Sequence, residues 1–124
     1  MAGLTFDTGA LIGLERHRHR IRRVFATAVR DGVRMTVPAA VLAEWWRGRT
    51  DLAEDILASV DVEPIDDGLA KAAGEALAAV SRATAIDAMV MASAARRGDV
   101  VYTSDFDDLV KLQAHFRSVR VLAV

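Results

Sequence analysis

Four acidic residues stand where carboxylates could do chemistry together: Asp7, Glu44, Asp87 and Asp105. Asp7 follows the apolar run at residues 3–6, and Asp105 ends Val101-Tyr102-Thr103-Ser104-Asp105 in the same way. If both runs are parallel strands, the turns after them reach one edge of a sheet and bring two sequence-distant acids together. Asp87 is the only charged residue between Arg82 and Arg96, set among Ala85, Ile86, Ala88, Met89 and Val90. A helix that apolar is mostly buried, and a buried carboxylate needs a compensating partner. Glu44 sits beside Trp45 and Trp46, on the border of its helix's polar side. Carboxylates gathered at one edge repel and raise one another's pKa unless a cation sits among them. The chain has no cysteine, so a metal must take oxygen or imidazole ligands, and hard oxygen donors point to Mg2+ or Mn2+. Such a metal typically serves phosphate chemistry, orienting a water and neutralising developing charge.

Each acid alone also has a purely structural reading. Asp7 and Asp105 both stand where a helix N-cap would, a role worth about 1 kcal/mol. Thr84-Ala85-Ile86-Asp87 matches a capping box, which would make Asp87 part of a helix start. Glu44 reads equally as an ordinary surface residue. It is the grouping of the four that favours a metal.

The elements that must position them alternate. Strands are predicted at residues 3–6, 33–37, 60–65, 99–103 and 119–124. Helices are predicted at residues 8–15, 51–59, 67–80, 84–97 and 105–116. Ile21, Val24, Phe25, Ala28 and Val29 make the apolar stripe of another helix, which Asp31-Gly32 ends. Pro38 suits the first turn of a helix carrying Val41, Leu42, Trp45 and Trp46. Gly98 closes the helix at 84–97, with Arg96 and Arg97 placed to meet its dipole. Strands separated by helices imply crossovers, hence an α/β fold: a three-layer α/β/α sandwich with a mostly parallel sheet. In such sheets the working site lies beyond the carboxyl ends of the strands.

With 124 residues, 52% of them hydrophobic, the chain is expected to form one domain spanning residues 1–124. No apolar run reaches the ~18 residues of a membrane span, the N-terminus lacks signal-peptide shape, and absent cysteine fits a reducing cytoplasm. A net charge of −1 argues against indiscriminate coating of nucleic acid. Charge is nevertheless concentrated: Arg16, Arg18, Arg20, Arg22 and Arg23 crowd together, and arginine suits forked phosphate contacts. That run reads as a grip on RNA phosphates, as a solvated helix face, or as a contact for an acidic partner segment. His17 and His19, two apart on a presumed helix, point to opposite sides, which disfavours a shared metal. Trp45 and Trp46 read as core or dimer interface rather than base-stacking platforms, and His115 as isolated.

The sequence resembles a known family in four blocks. Phe6-Asp7-Thr8-Gly9-Ala10-Leu11-Ile12 resembles the opening of PIN-domain nucleases. Val37-Pro38-Ala39-Ala40-Val41-Leu42-Ala43-Glu44-Trp45 is similar to the family's second block, whose glutamate is a metal-site acid. Thr84-Ala85-Ile86-Asp87-Ala88-Met89-Val90-Met91-Ala92 is similar to the third, and Thr103-Ser104-Asp105-Phe106-Asp107-Asp108-Leu109 to the fourth. Size makes the nearest likeness the VapC toxins of VapBC toxin–antitoxin pairs. The resemblance implies a Mg2+- or Mn2+-dependent endoribonuclease, usually a homodimer, held inactive by a small antitoxin. Its metal-site acids map to Asp7, Glu44, Asp87 and Asp105, with Asp108 as an outer ligand and Asp107 as the alternative to it. Thr8 and Thr103 would orient carboxylates or a water. Gly9 replaces the serine often found there and removes one polar contact, and the segment before Asp87 is short. In-line attack of water would leave 5′-phosphate and 3′-hydroxyl ends.

Two rivals stand beside this. A phosphoryl-transfer domain of the receiver or haloacid-dehalogenase type also places an Asp after strand one. It fits poorly, because Gly9 occupies the position of the second Asp in Asp-x-Asp and Lys111 lies too far into its helix. A catalytically inactive module that binds RNA or a protein partner on the same fold is compatible with all the same residues.

Overall fold

The computed structural model describes residues 2–124. The elements are, in order, β1 (Leu4–Phe6), α1 (Thr8–Glu15), α2 (His19–Asp31), β2 (Met35–Pro38), α3 (Ala39–Trp45) and α4 (Asp51–Ala58), then β3 (Asp61–Glu63), α5 (Asp67–Ala79), α6 (Ala85–Arg97), β4 (Val100–Thr103), α7 (Phe106–Leu112) and β5 (Arg120–Ala123). All strand pairings are parallel, in the order β3-β2-β1-β4-β5. The sheet is therefore wholly parallel, as the alternation of strands and helices requires. The chain leaves β1 towards β2 and β3 on one side, then crosses over to β4 and β5 on the other. That reversal opens a crevice at the carboxyl ends of β1 and β4.

Register assigns each side chain to a face. Phe6, Tyr102 and Leu122 stand level on one face, and Thr5, Thr36, Val101 and Val121 on the other. Phe6 is fully buried and meets the Tyr102 ring edge-on at 6.3 Å. α6 lies across β1, β2 and β4, with α5 packed along it. Its small and flexible side chains, Ala88, Val90, Met91, Ala92, Ser93 and Ala94, are all buried, so the helix backbone can approach the sheet closely.

The elements differ from expectation at their ends, each time for a local reason. α1 stops at Glu15 and α2 starts at His19, with His17 at φ 56° in the turn between them, so His17 and His19 do not share a helix. β3 is shorter than predicted, an edge strand stopped by Pro64. Pro38 is not in a helical turn. It closes β2 with φ −61° and ψ 145°, opposite Glu63, and hands over to α3 as its N-cap. α7 ends at Leu112, a turn early, because Gln113 Nε2 donates to the Val119 carbonyl at 2.9 Å and turns the chain into β5. Val29 is 54% exposed and lies outside the apolar stripe of α2.

Arg97 lies in the last turn of α6, as expected, but its side chain does more than face the helix end. It turns inward, where Nε donates to Asp99 Oδ2 at 2.8 Å and Nη2 to Thr5 Oγ1 at 2.9 Å and Ser93 Oγ at 2.8 Å. Nη1 bonds Glu63, and Thr5 Oγ1 donates to Asp99 Oδ2 at 2.8 Å. One guanidinium thus ties α6 to β1, β3 and the start of β4. Asp99 is 4% exposed, and Arg97 is its one ion-pair partner among the described residues, supplemented by the Thr5 hydroxyl. Arg97→Ala should lower unfolding stability by about 3–5 kcal/mol, because it strands buried Asp99 and leaves half-buried Glu63 only Arg96, 3.9 Å away. Arg96→Ala should cost far less, because the Arg96–Asp66 pair at 2.6 Å is solvated. Urea titration of the two variants checks the contrast, and equal losses would contradict it.

Candidate active site

Asp7 leaves the end of β1 into the crevice and is 4% exposed. Oδ1 accepts the Ala10 N–H at 2.9 Å, so the N-cap role is real. Oδ2 accepts a hydrogen bond from Thr103 Oγ1, which caps no helix turn and belongs to the neighbouring strand. Burial pushes the Asp7 carboxyl up to about 6. The bonds from Thr103 and Ala10 oppose that rise, and the charges of Asp105 and Asp87 add to it.

Asp105 occupies the N-cap position of α7, yet its side chain makes no capping bond. Its N–H donates to Thr103 Oγ1 at 2.8 Å. That single hydroxyl therefore holds the Asp7 carboxylate and the Asp105 turn together, and leaves the Asp105 carboxylate exposed and uncommitted. Asp87 sits in the first turn of α6, half-buried, with its N–H bonded to Thr84 Oγ1 at 3.2 Å. Half of the capping box is thus present. Burial raises the Asp87 pKa against the Thr84 hydrogen bond, and the charges of Asp105, Asp108 and Glu44 raise it further. Glu44 is exposed on α3, where its carboxylate accepts a hydrogen bond from Thr8 Oγ1.

The crevice therefore gathers Asp7, Asp87 and Asp105 within electrostatic reach of one another, with Glu44 and Asp108 acting on Asp87. Asp108 is paired with Lys111 at 3.4 Å, whereas Asp107 contributes to neither shift. None of Asp7, Glu44, Asp87 or Asp105 forms a salt bridge among the described residues. An all-oxygen, mutually repelling donor set fits a hard divalent cation. Among the described residues, however, no three acidic or histidine side chains close into a ready ligand cage. Two of the carboxylates are drawn aside by threonine hydroxyls, Asp7 by Thr103 and Glu44 by Thr8.

The remaining candidates fall elsewhere. Arg16 and Arg18 lie in the turn after α1, and Arg20, Arg22 and Arg23 on the first turns of α2. All five are exposed, and none pairs with an acid among the described residues. A hollow of about 500 Å3 on one flank of α2 is lined by Arg20, Arg23, Val24, Leu4 and Tyr102. Another, of about 490 Å3, is lined by Arg22, Phe25, Leu52 and Ile56 together with both His17 and His19. Trp45 is core, with Nε1 donating to Glu15 Oε1 at 2.5 Å and its ring edge-on to half-buried Trp46. His115 is exposed, with its ring edge-on to the Phe116 ring at 4.8 Å.

One residue at the crevice escaped the sequence reading. Ser104 fills the space above Gly9: a Cβ on Gly9 would overlap the Ser104 hydroxyl and lie 3.2 Å from the Ser104 nitrogen. The missing side chain at position 9 was the available signal, since an absence in one turn implies something that needs the room.

Comparison with known proteins agrees with this geometry. The sequence matches the PIN domain family over residues 4–113. Among solved structures the fold is similar to a chain of DNA-bound VapBC from Salmonella typhimurium, at TM-score 0.72 and 19% identity, covering 99% of this chain and 98% of that one. It is similar to a chain of VapBC2 from Rickettsia felis bound to a promoter DNA fragment, at TM-score 0.69 and 11% identity, covering 98% of both. It is also similar to a chain of FitAcB from Neisseria gonorrhoeae, at TM-score 0.60 and 16% identity, covering 96% of both. A search of curated sequences found no match. No helix among the described residues is long and apolar enough to cross a membrane. With the carboxylate crevice at the switch point of a wholly parallel sheet, and a family match running from β1 through α7, the chain belongs to the PIN domain family.

Proposed function

We propose that this protein is a Mg2+- or Mn2+-dependent endoribonuclease and the toxin of a two-component toxin–antitoxin pair. The observation that carries the reading is the cluster itself: Asp7, buried and pushed up to about 6, beside Asp87 and Asp105, none of them in a salt bridge among the described residues. Asp7, Glu44, Asp87 and Asp105 would hold the ion, with Asp108 as an outer ligand. Bound there, the ion supplies positive charge and an activated water for phosphodiester hydrolysis. Thr103 keeps Asp7 and the Asp105 turn in fixed relation, and Thr8 steadies Glu44. Above pH 6 Asp7 releases its proton and becomes available as a ligand.

In-line attack leaves a 5′-phosphate and a 3′-hydroxyl without a covalent enzyme intermediate. The similar VapBC and FitAcB structures are of two-component assemblies. By analogy, this chain works as a homodimer silenced by a small antitoxin in the cytoplasm. Arg16, Arg18, Arg20, Arg22 and Arg23 offer unpaired guanidinium groups to RNA phosphates.

Purified, antitoxin-free protein incubated with a mixed RNA pool should cleave it in Mg2+ or Mn2+. EDTA or Asp7→Asn should abolish cleavage, with a loss of at least about a hundredfold in the variant. End analysis should find 5′-phosphates. Cyclic 2′,3′-phosphates would mean that the RNA's own hydroxyl attacks, and a folded wild type that neither cleaves nor binds Mn2+ calorimetrically would favour the inactive module.

Stability gives an independent check. The folded-state pKa of Asp7, about 6, lies above its ordinary value of 3.8. The native state therefore holds this proton more tightly, and the contribution to stability is full below about pH 4 and lost as pH rises to about 6. Ionised Asp7 then costs up to about 3 kcal/mol at pH 7. Asp7→Asn should accordingly be more stable than the metal-free wild type at pH 7, by about 1–2 kcal/mol after allowing for the poorer acceptor. The two should converge at pH 4, and Mn2+ should stabilise only the wild type. Denaturant melts that run parallel at both pH values would contradict the assigned burial penalty.

A further inference from the structure

Every side-chain hydroxyl at the carboxylate crevice is committed except one. Thr8 Oγ1 donates to Glu44, and Thr103 Oγ1 donates to Asp7 while accepting the Asp105 N–H. Thr84 is bonded to Asp87. Ser104 stands between Thr103 and Asp105, is exposed, and its hydroxyl meets no hydrogen-bond partner among the described residues. It has one close packing neighbour, Gly9. The side chain rests on the bare Cα of Gly9 in the first turn of α1, two residues beyond Asp7, where any Cβ would displace it. The hydroxyl therefore lies against the start of α1, beside the two turns that carry Asp7 and Asp105.

We propose that Ser104 is a catalytic residue, its hydroxyl donating a hydrogen bond to a non-bridging oxygen of the scissile phosphate. The inference rests on the nuclease reading above. Carboxylates and phosphate oxygens only accept hydrogen bonds, so a phosphate entering the crevice meets acceptors on every side. The proton of Thr8 is already given to Glu44 and that of Thr103 to Asp7. Among the described residues Ser104 is the remaining uncommitted hydroxyl at that edge, the Lys111 ammonium being paired with Asp108. No bond to Ser104 is made or broken, and the hydroxyl keeps its proton throughout. Gly9 is then the room that this donor requires rather than a lost contact: the hydroxyl comes from the turn after β4 instead of from α1.

The test uses four chains on a mixed-sequence single-stranded RNA with Mn2+: wild type, Ser104→Ala, and the double variants Gly9→Ser/Ser104→Gly and Gly9→Ala/Ser104→Gly. Ser104→Ala should lose about ten- to a hundredfold in kcat/KM, as expected for one hydrogen bond to a charged group. Its melting temperature and calorimetric Mn2+ affinity should match the wild type. The double variants differ by one oxygen. The serine version should be at least about tenfold faster, because a side chain grown from residue 9 starts where the Ser104 hydroxyl now lies. Wild-type kcat/KM in Ser104→Ala, or equal rates in two folded double variants, overturns the proposal. So does a fall in Mn2+ affinity that accounts for the rate loss, since the hydroxyl would then be supporting ligands. If a double variant does not fold, Ser104→Ala decides alone, because it only trims an exposed side chain. A wild type that cleaves no RNA sinks the nuclease reading and this inference together. That outcome is distinct from an active wild type with an undiminished Ser104→Ala.

Discussion

The sheet holds buried acids at two places and treats them in opposite ways. Where α6 runs into β4, Asp99 and Glu63 share the guanidinium of Arg97, and every donor nitrogen of that fork is used. In the crevice, Asp7 is equally buried and receives only a threonine hydroxyl and a backbone N–H. Hydrogen bonds moderate a buried charge but do not cancel it, so Asp7 stays well above the ordinary carboxylate range. That contrast, an arginine against one buried acid and no basic partner for the other among the described residues, is what supports the proposed cation site at Asp7.

The two sites depend on each other mechanically. α6 carries Asp87 in its first turn and Arg97 in its last, and Arg97 fastens that end of the helix to Thr5 on β1. β1 in turn ends at Phe6 and releases Asp7 into the crevice. The ion pair therefore sets the height of Asp87 over the strand that presents Asp7, although it lies at the far end of the helix. Position along β1 is held from its other neighbour as well, through Thr103 on β4.

How much of this can be read in the amino-acid sequence follows from the range of each interaction. The alternation of apolar runs and helical stripes is local, and it yields the order of elements and the edge to which Asp7 and Asp105 come. The glycines at φ 67° and 71°, Gly32 and Gly98, end α2 and α6 where a left-handed residue is needed. The inward turn of Arg97 is not legible, since its partners Glu63, Thr5 and Ser93 come from three separate elements and only Ser93 is a helical neighbour. The break at His17 is equally hidden, because a run of arginine and histidine has the same periodicity whether it continues a helix or turns. Ser104 is legible only as a gap at Gly9. Contacts made across the crevice leave their trace in the smaller partner.

Charge distribution joins the crevice to the rest of the surface. The chain carries a net charge of −1, yet five arginines that pair with no acid among the described residues sit within eight residues at the junction of α1 and α2. The acids of the crevice repel a polyanion, and at physiological salt that repulsion decays within about 8 Å. Under the proposed function, a basic surface on α2 holds a nucleic-acid strand whose reacting phosphate is still kept out of the crevice. Entry then requires the positive charge of a divalent ion among Asp7, Asp87 and Asp105. On this reading metal and RNA bind cooperatively: affinity outside the crevice falls with salt as the arginines are screened, while productive engagement follows metal occupancy. Binding and cleavage are thereby assigned to separate groups, and the exposed arginine patch is left open to an acidic partner that could compete for it without touching the carboxylates.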